Sequence, residues 1–363
     1  MCWSAGEKDK HPFSYTQTNI MIERNKVTIY DLARHLNTTA STVSRALQNN
    51  PRISVKMREA VQKLAKELNY QPDPIAHHLR TGKGFVLGII VPRIDRNFFA
   101  ATISSFQETV SKQNYNVIIA ASNESFEEEQ RVIRALINKK IDGIAISLSV
   151  ESSKQDYAET CAQYNIPLVF FDRVPASGRY DTVANDNFQI GYDAVVQLYK
   201  TGCSKIGHFA GPQAIKSYAD RFLGYKQALA DLGLPYREEW IFPNSITLET
   251  GTEAAQKLLA SANRPDGIFS AGDFSAITAM DTFACKGLSI PRDIAFIGVA
   301  NEPFDNYLRT PLTSFDLHQQ RIGEVTARLL LSRLKDDGDE RFKAPSNIIV
   351  KHDLILRASA IHP

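Results

Sequence analysis

A chain of 363 residues, 43% hydrophobic and 23% charged, exceeds one small core and calls for two or three globular domains. No apolar run reaches the ~18 residues of a membrane-spanning helix, and four scattered cysteines (Cys2, Cys161, Cys203, Cys285) with no CxxC or His cluster read as reduced thiols of a cytoplasmic protein, not metal ligands. The formal charge of +2 hides an asymmetry: residues 26–84 carry +6 and residues 85–363 carry −4, which points to an anionic partner for the front end alone.

Residues 1–25 are polar and aperiodic, with no signal-peptide core, and are expected to be a disordered extension. Met21, just before the first periodic segment, reads as a natural start. Three short helices follow. "TIYDLARHL" puts Ile29, Leu32, Ala33 and Leu36 at helical spacing. Asn37 suits a tight turn, Thr39 can cap the second helix and Ser54 the third, where Val61, Leu64, Ala65 and Leu68 form a stripe. The second helix divides cleanly. Val43, Ala46 and Leu47 fall on one side; Ser41, Ser44, Arg45 and Gln48 fall on the other, with no acid among them. Two helices joined by a short turn, the second carrying such a face, fit a helix-turn-helix over residues 26–70. Hydroxyls can bond phosphates or base edges, and an arginine can pair with guanine. Taken alone, a Ser/Thr-rich helix start is more often simple capping.

"NYQPDP" ends the third helix, and "IAHHLRTGKG" is a short helix with a glycine-rich link, so residues 71–84 form a connector. From Phe85 the rhythm changes. "FVLGIIV", "NVIIAAS", "DGIAISL" and "PLVFFD" alternate with helical patterns, and the alternation repeats after Asn185 through "KIGHFAG", "DGIFSAG" and "DIAFIGVA". That describes two parallel-stranded α/β units. A last helix near 318–335 precedes the strand-like "NIIVKHDLILR".

"VTIYDLARHLNTTASTVSRALQNNPRIS", and then "LGIIVP", "FDR", "GHFAGP", "DRFLGY", "AGDFSAI", "DIAFIGVANEP" and "RTPLTSFD", together resemble the LacI/GalR (lactose repressor) family of bacterial transcription regulators from Val27 to Arg357. The resemblance implies an all-α helix-turn-helix head and an α/β, periplasmic-binding-protein-like, two-lobed effector domain over 85–363. Lobe one would be about 85–184 with 315–340, and lobe two about 185–314 with 341–363, the chain crossing three times. It implies base-reading roles for Ala40, Ser41 and Arg45, and phosphate contacts for Thr28, Tyr30, Thr39, Thr42, Ser44 and Gln48. The connector would be a hinge helix whose Leu79, beside Arg80, wedges into the minor groove and kinks the duplex. Asp73 departs from the family's asparagine and puts an acid near phosphates.

The effector site would take Asp95, Arg96, Phe98, Asp172, Arg173, Ser217, Arg221, Ile246, Asp273 and Asn301. An aromatic face with paired carboxylates and guanidiniums suits a sugar ring. Asp172–Arg173 could equally be a strand-end ion pair, and Phe99 and Phe106 read as core or interface residues. Gly272 stands where the family commonly has asparagine and Ala300 where many members place a ligand-binding aspartate, so purines stay open beside carbohydrates. No cofactor, metal site or membrane partner is expected, and no phosphate loop, GxSxG elbow or HExxH supports an enzyme. The partners implied are a near-palindromic double-stranded operator, a second copy of the chain in a homodimer (no leucine-heptad tail follows the last strand) and a small polar effector. A transport solute-binding protein is the alternative, against which the basic head and missing signal peptide stand.

Overall fold

The computed structural model describes residues 27–70, 84–154, 161, 163–335 and 344–361. The expected N-terminal extension and nearly all of the connector, including Asp73, Leu79 and Arg80, lie outside them. The described chain falls into two units, a helical head and an α/β body.

The head contains α1 (Ile29–His35), α2 (Ala40–Leu47) and α3 (Val55–Glu67). Each begins on a hydroxyl cap. Thr28 and Asp31 form a reciprocal capping box, the Thr39 hydroxyl accepts from Thr42 N at 3.2 Å, and the Ser54 hydroxyl accepts from Met57 N at 3.3 Å. Asn37 takes the left-handed conformation at the α1–α2 turn, φ 46°. Helices this short are marginal alone; Leu32, Ala33, Val43, Ala46, Val61 and Ala65 bury them against one another.

The body holds two six-stranded sheets. The first comprises β1 (Val86–Val91), β2 (Asn116–Ala121), β3 (Gly143–Ile146), β4 (Leu168–Phe171) and β5 (Asp181–Asn185), with β11 (Asn347–Val350), in the order β11-β5-β4-β3-β1-β2, all parallel. The second comprises β6 (Ile206–Phe209), β7 (Ile241–Phe242), β8 (Gly267–Ser270), β9 (Ala295–Val299) and β10 (Thr313–Asp316), with β12 (Asp353–Ile355), in the order β12-β10-β9-β8-β6-β7. It is parallel except for the antiparallel edge strand β12. Helices α4 (Asn97–Ser111) and α5 (Phe126–Asn138) serve the first lobe. Helices α6 (Asn187–Lys200), α7 (Lys216–Asp231), α8 (Leu248–Ala260) and α9 (Asp273–Cys285) serve the second. Helix α10 (Gln319–Arg333) packs back on α4, where the Thr102 and Ser105 hydroxyls donate to Gln319 O and Gln320 O at 3.1 and 2.7 Å.

Three crossings therefore join the lobes, but their positions correct the expected boundaries. Strand β10, including Phe315 and Asp316, belongs to the second sheet, so the return to lobe one begins after it. The tail expected in lobe two divides: β11 pairs in parallel with β5 in the first sheet, and only β12 joins the second. Asn185 sits at the first crossing, and its Nδ2 donates to Leu317 O at 3.1 Å in the second and to Val350 O at 3.0 Å in the third.

Candidate functional site: an exposed helix face and an interlobe cleft

In the head, α2 separates its faces as its spacing requires. Val43 and Ala46 are fully buried, while Ser41, Arg45 and Gln48 are exposed and Ala40, Thr42 and Ser44 half-buried. Tyr30 is 69% exposed. The hydrogen bonds from Thr28 hold the Asp31 carboxyl below its usual range, so this acid stays ionised and committed to its cap. Leu79 and Arg80 lie outside the described residues.

In the body, the carboxyl ends of both sheets face one cleft, the place where open α/β sheets bind ligands. It encloses a cavity of about 300 Å3. Nine strand ends feed it: Arg93, Arg96 and Phe98 follow β1, Glu124 follows β2, Val150 follows β3, Asp172 and Arg173 follow β4, Ser217 and Arg221 follow β6, Ile246 follows β7, Asp273 follows β8, Glu302 follows β9, and Leu317 follows β10.

Arg221 is 5% exposed, its Nε donating to Asn187 Oδ1 and its Nη1 to Ala271 O, both at 2.9 Å. Two of its three nitrogens are thus fixed from behind. That close seat needs glycine: α6 and α7 cross so tightly that a Cβ on Gly191 would lie 2.0 Å from Arg221 O. Arg173 does not pair with its neighbour Asp172. Its Nη1 reaches Glu124 at 2.8 and 3.0 Å, and its guanidinium lies 5.9 Å from the centre of the Phe99 ring. Arg96 covers Phe274, 4.0 Å from the ring centre.

The carboxyls of the second lobe are crowded. Asp273 accepts from the Ser314 hydroxyl at 2.8 Å and from Glu302 N at 3.1 Å. Asp305, fully buried beside it, meets no hydrogen-bond donor among the described residues and is held well above the usual carboxylate range, by burial first and then by Asp273. It keeps its proton. Burial, and secondarily Asp273, pushes Glu302 up to about 7. Asp172 is likewise raised by burial.

Of the ten residues expected here, Arg96, Phe98, Asp172, Arg173, Ser217, Arg221, Ile246 and Asp273 line the cavity. Two do not. Asp95 is exposed, paired with Arg93, and borders a neighbouring cavity. Asn301 spends its side chain elsewhere: Nδ2 donates to Asp316 at 3.1 Å and Oδ1 accepts from Arg357 at 2.6 Å. Phe99, expected in the core or an interface, is a core residue at 4% exposure and also lines the cavity. Glu124, Tyr218 and Phe274 line it from outside the expected set, and Glu302, which stands beside Ala300 and Asn301, lines it where Asn301 does not. Phe274 and Glu302 each stand one residue beyond a position that was named, so the strand-end signal reached their neighbours; nothing in the local pattern marks Glu124. Ala300, φ 118°, lines the cavity in a backbone conformation that costs a non-glycine residue about 1–3 kcal/mol. Among the described residues no His/Cys/Asp/Glu group has the form of a metal site, and no helix is long and apolar enough to cross a membrane.

Residues 28–73 match the family model of the bacterial regulatory proteins, lacI family, and residues 85–357 match that of the periplasmic binding proteins and sugar binding domain of the LacI family. The chain is 29% identical over 305 residues to catabolite control protein A of Priestia megaterium, covering 84% of this chain and 91% of that protein. It is 29% identical over 315 residues to the HTH-type transcriptional repressor PurR of Vibrio cholerae serotype O1 (strain M66-2), covering 86% and 93%. Among solved structures, the lac repressor dimer bound to operator and the anti-inducer ONPF superposes with a TM-score of 0.80 at 20% identity, covering 93% of this chain and 99% of that one. The complex of the transcriptional regulator CelR with cellobiose gives 0.69 at 24% identity, covering 92% and 99%. At these identities the two structures speak for the fold.

Proposed function

Since the chain belongs to the LacI family of bacterial regulatory proteins, we propose that it is a repressor that binds a near-palindromic DNA operator as a homodimer, its operator affinity set by a small polar effector, a sugar or sugar derivative, held in the interlobe cleft. The observation that carries the DNA half is the exposed α2 face of Ser41, Arg45 and Gln48, hydroxyl, guanidinium and amide without a carboxylate. Two such helices, one from each protomer, would read half-sites in successive major grooves. Ala40 and Ser41 are small enough for the helix start to approach base edges. Thr28, Tyr30, Thr39, Thr42, Ser44 and Gln48 are assigned to phosphates, and Leu79 and Arg80 to the minor groove between half-sites.

The effector half is supported by Arg221, anchored from behind, among aromatic faces and carboxyls that accept hydroxyl donors. Effector and operator occupy distinct sites, so their coupling is reciprocal: each changes the affinity of the other by the same factor.

The test is selection from random duplex DNA on the purified protein, alone and with pooled sugars or pooled purine bases. A symmetric consensus of two half-sites is expected, with retention altered by the sugar pool. Retention without any enriched sequence under all three conditions would overturn the reading; a response to the purine pool alone would move the effector to that class.

A further inference from the structure

The cleft cavity does not end at its mouth. Phe274 and Glu302 form a sill shared with a second, more open cavity of about 410 Å3. The first lobe contributes Asp95 and Asn97 to this outer space, and the second contributes Phe304 and Tyr307. The ring of Phe304 meets that of Phe274 edge-on, 5.2 Å between centres and 74° between planes, and Tyr307 is 87% exposed. Glu302 is only 4% exposed, yet nothing among the described residues bonds to its carboxyl. Its oxygens are not among the fully enclosed unpaired atoms; they open onto the two cavities, which places an acceptor where a ligand spanning both would pass.

The chemistry of the two cavities differs. Arginines line the inner one, whereas among the described residues no basic side chain lines the outer. An anionic group would find poor company there. Carboxylates and an amide accept hydroxyl donors, and aromatic faces pack against C–H surfaces, which together are the two sides of a sugar ring. Each cavity alone lies toward the low end of the roughly 300–1,000 Å3 of small-molecule pockets.

We propose that the outer cavity is a second sugar subsite, so that the effector is a disaccharide or the end of a longer saccharide. One ring sits at Arg221, the other rests against Phe304 and Tyr307, and Glu302 takes a hydroxyl donor at the junction. This rests on the carbohydrate reading of the inner cleft.

Calorimetric titration of the full-length protein tests it, with cellobiose, maltose, lactose, sucrose, melibiose and trehalose set against glucose, galactose and fructose, and with adenine, guanine and hypoxanthine as the other class. One disaccharide is expected to bind at least tenfold more tightly than either of its component sugars. Phe304→Ala, and separately the exposed Asn97→Ala, should each remove most of that gain and leave monosaccharide affinity unchanged. A monosaccharide binding as tightly as every disaccharide that contains it would overturn the subsite while leaving the carbohydrate reading standing, and so would variants that weaken both sugars alike. Binding of purine bases alone, or of nothing in the panel, would overturn the carbohydrate reading and the subsite with it.

Discussion

Asn185 holds Val350: the Nδ2 that donates to its carbonyl at 3.0 Å also donates to Leu317 at 3.1 Å, so one buried amide ties together all three strands that pass between the lobes. The three residues are 3–6% exposed, so water does not replace the amide if it is lost. Asn185→Ala leaves two buried carbonyls without this donor and should cost about 1–3 kcal/mol in urea unfolding. Asn185→Asp should cost at least as much at neutral pH, because a carboxylate would face two carbonyl oxygens. A loss within measurement error for both variants would mean that the crossings do not depend on this amide.

Glu302 makes stability depend on pH. Its carboxyl is raised from an ordinary 4.5 to about 7, so between those values the folded chain binds a proton that the unfolded chain has released. Its contribution to stability therefore falls as pH rises through that window and stays low above it. Compared with Glu302→Gln, the native protein should lose stability steadily between about pH 4.5 and 7. Urea midpoints of the two proteins that run parallel across pH 4–8 would contradict it.

The α6–α7 crossing should tolerate no side chain at Gly191 or Gly224, where a Cβ would lie 2.0 Å from Arg221 O and 1.9 Å from Phe188 O. Gly191→Ala is expected to cost about 1–3 kcal/mol by overpacking. It should also weaken the effector response, because the backbone forced to move is that of Arg221. Loss of stability with an unchanged response would show that the helices separate without carrying the guanidinium along.

Arg45→Ala should weaken specific operator binding by about 1–3 kcal/mol and relax the preference at one base pair. Equal weakening on every sequence would reassign Arg45 to a phosphate. Native binding should fall steeply with salt as counterions are released.

Arg221→Ala should abolish the response to effector and leave operator affinity in place, measured by operator retention with and without the sugar pool. An unaltered response would remove Arg221 from the site.

The head was legible almost residue by residue, because short helices announce themselves through caps and apolar spacing: Thr39 and Ser54 cap as expected, and Val43 and Ala46 are fully buried. The alternation of strands and helices likewise gave both sheets. What escaped was long-range. "NIIVKHDLILR" reads as one strand-like tail, yet Lys351 and His352 divide it between two sheets, and which sheet a strand joins is decided by partners far along the chain. Glu124 escaped for the same reason: a glutamate in a loop looks solvated until Arg173, a turn after another strand, is brought to it. Asn301 failed in the opposite direction, since its strand-end position was right but Asp316 and Arg357 claim its amide.

The interleaved tail also fixes when the body can exist. A ribosome that has made residues up to 310 has produced neither lobe: the first still waits for α10 and β11, the second for β10 and β12. Both are closed only by residues 313–355, and the two edge strands arrive three residues apart. A truncated product would therefore carry a finished head on an unfinished sensor, and no single cut in the chain can divide the two lobes into separately encoded halves.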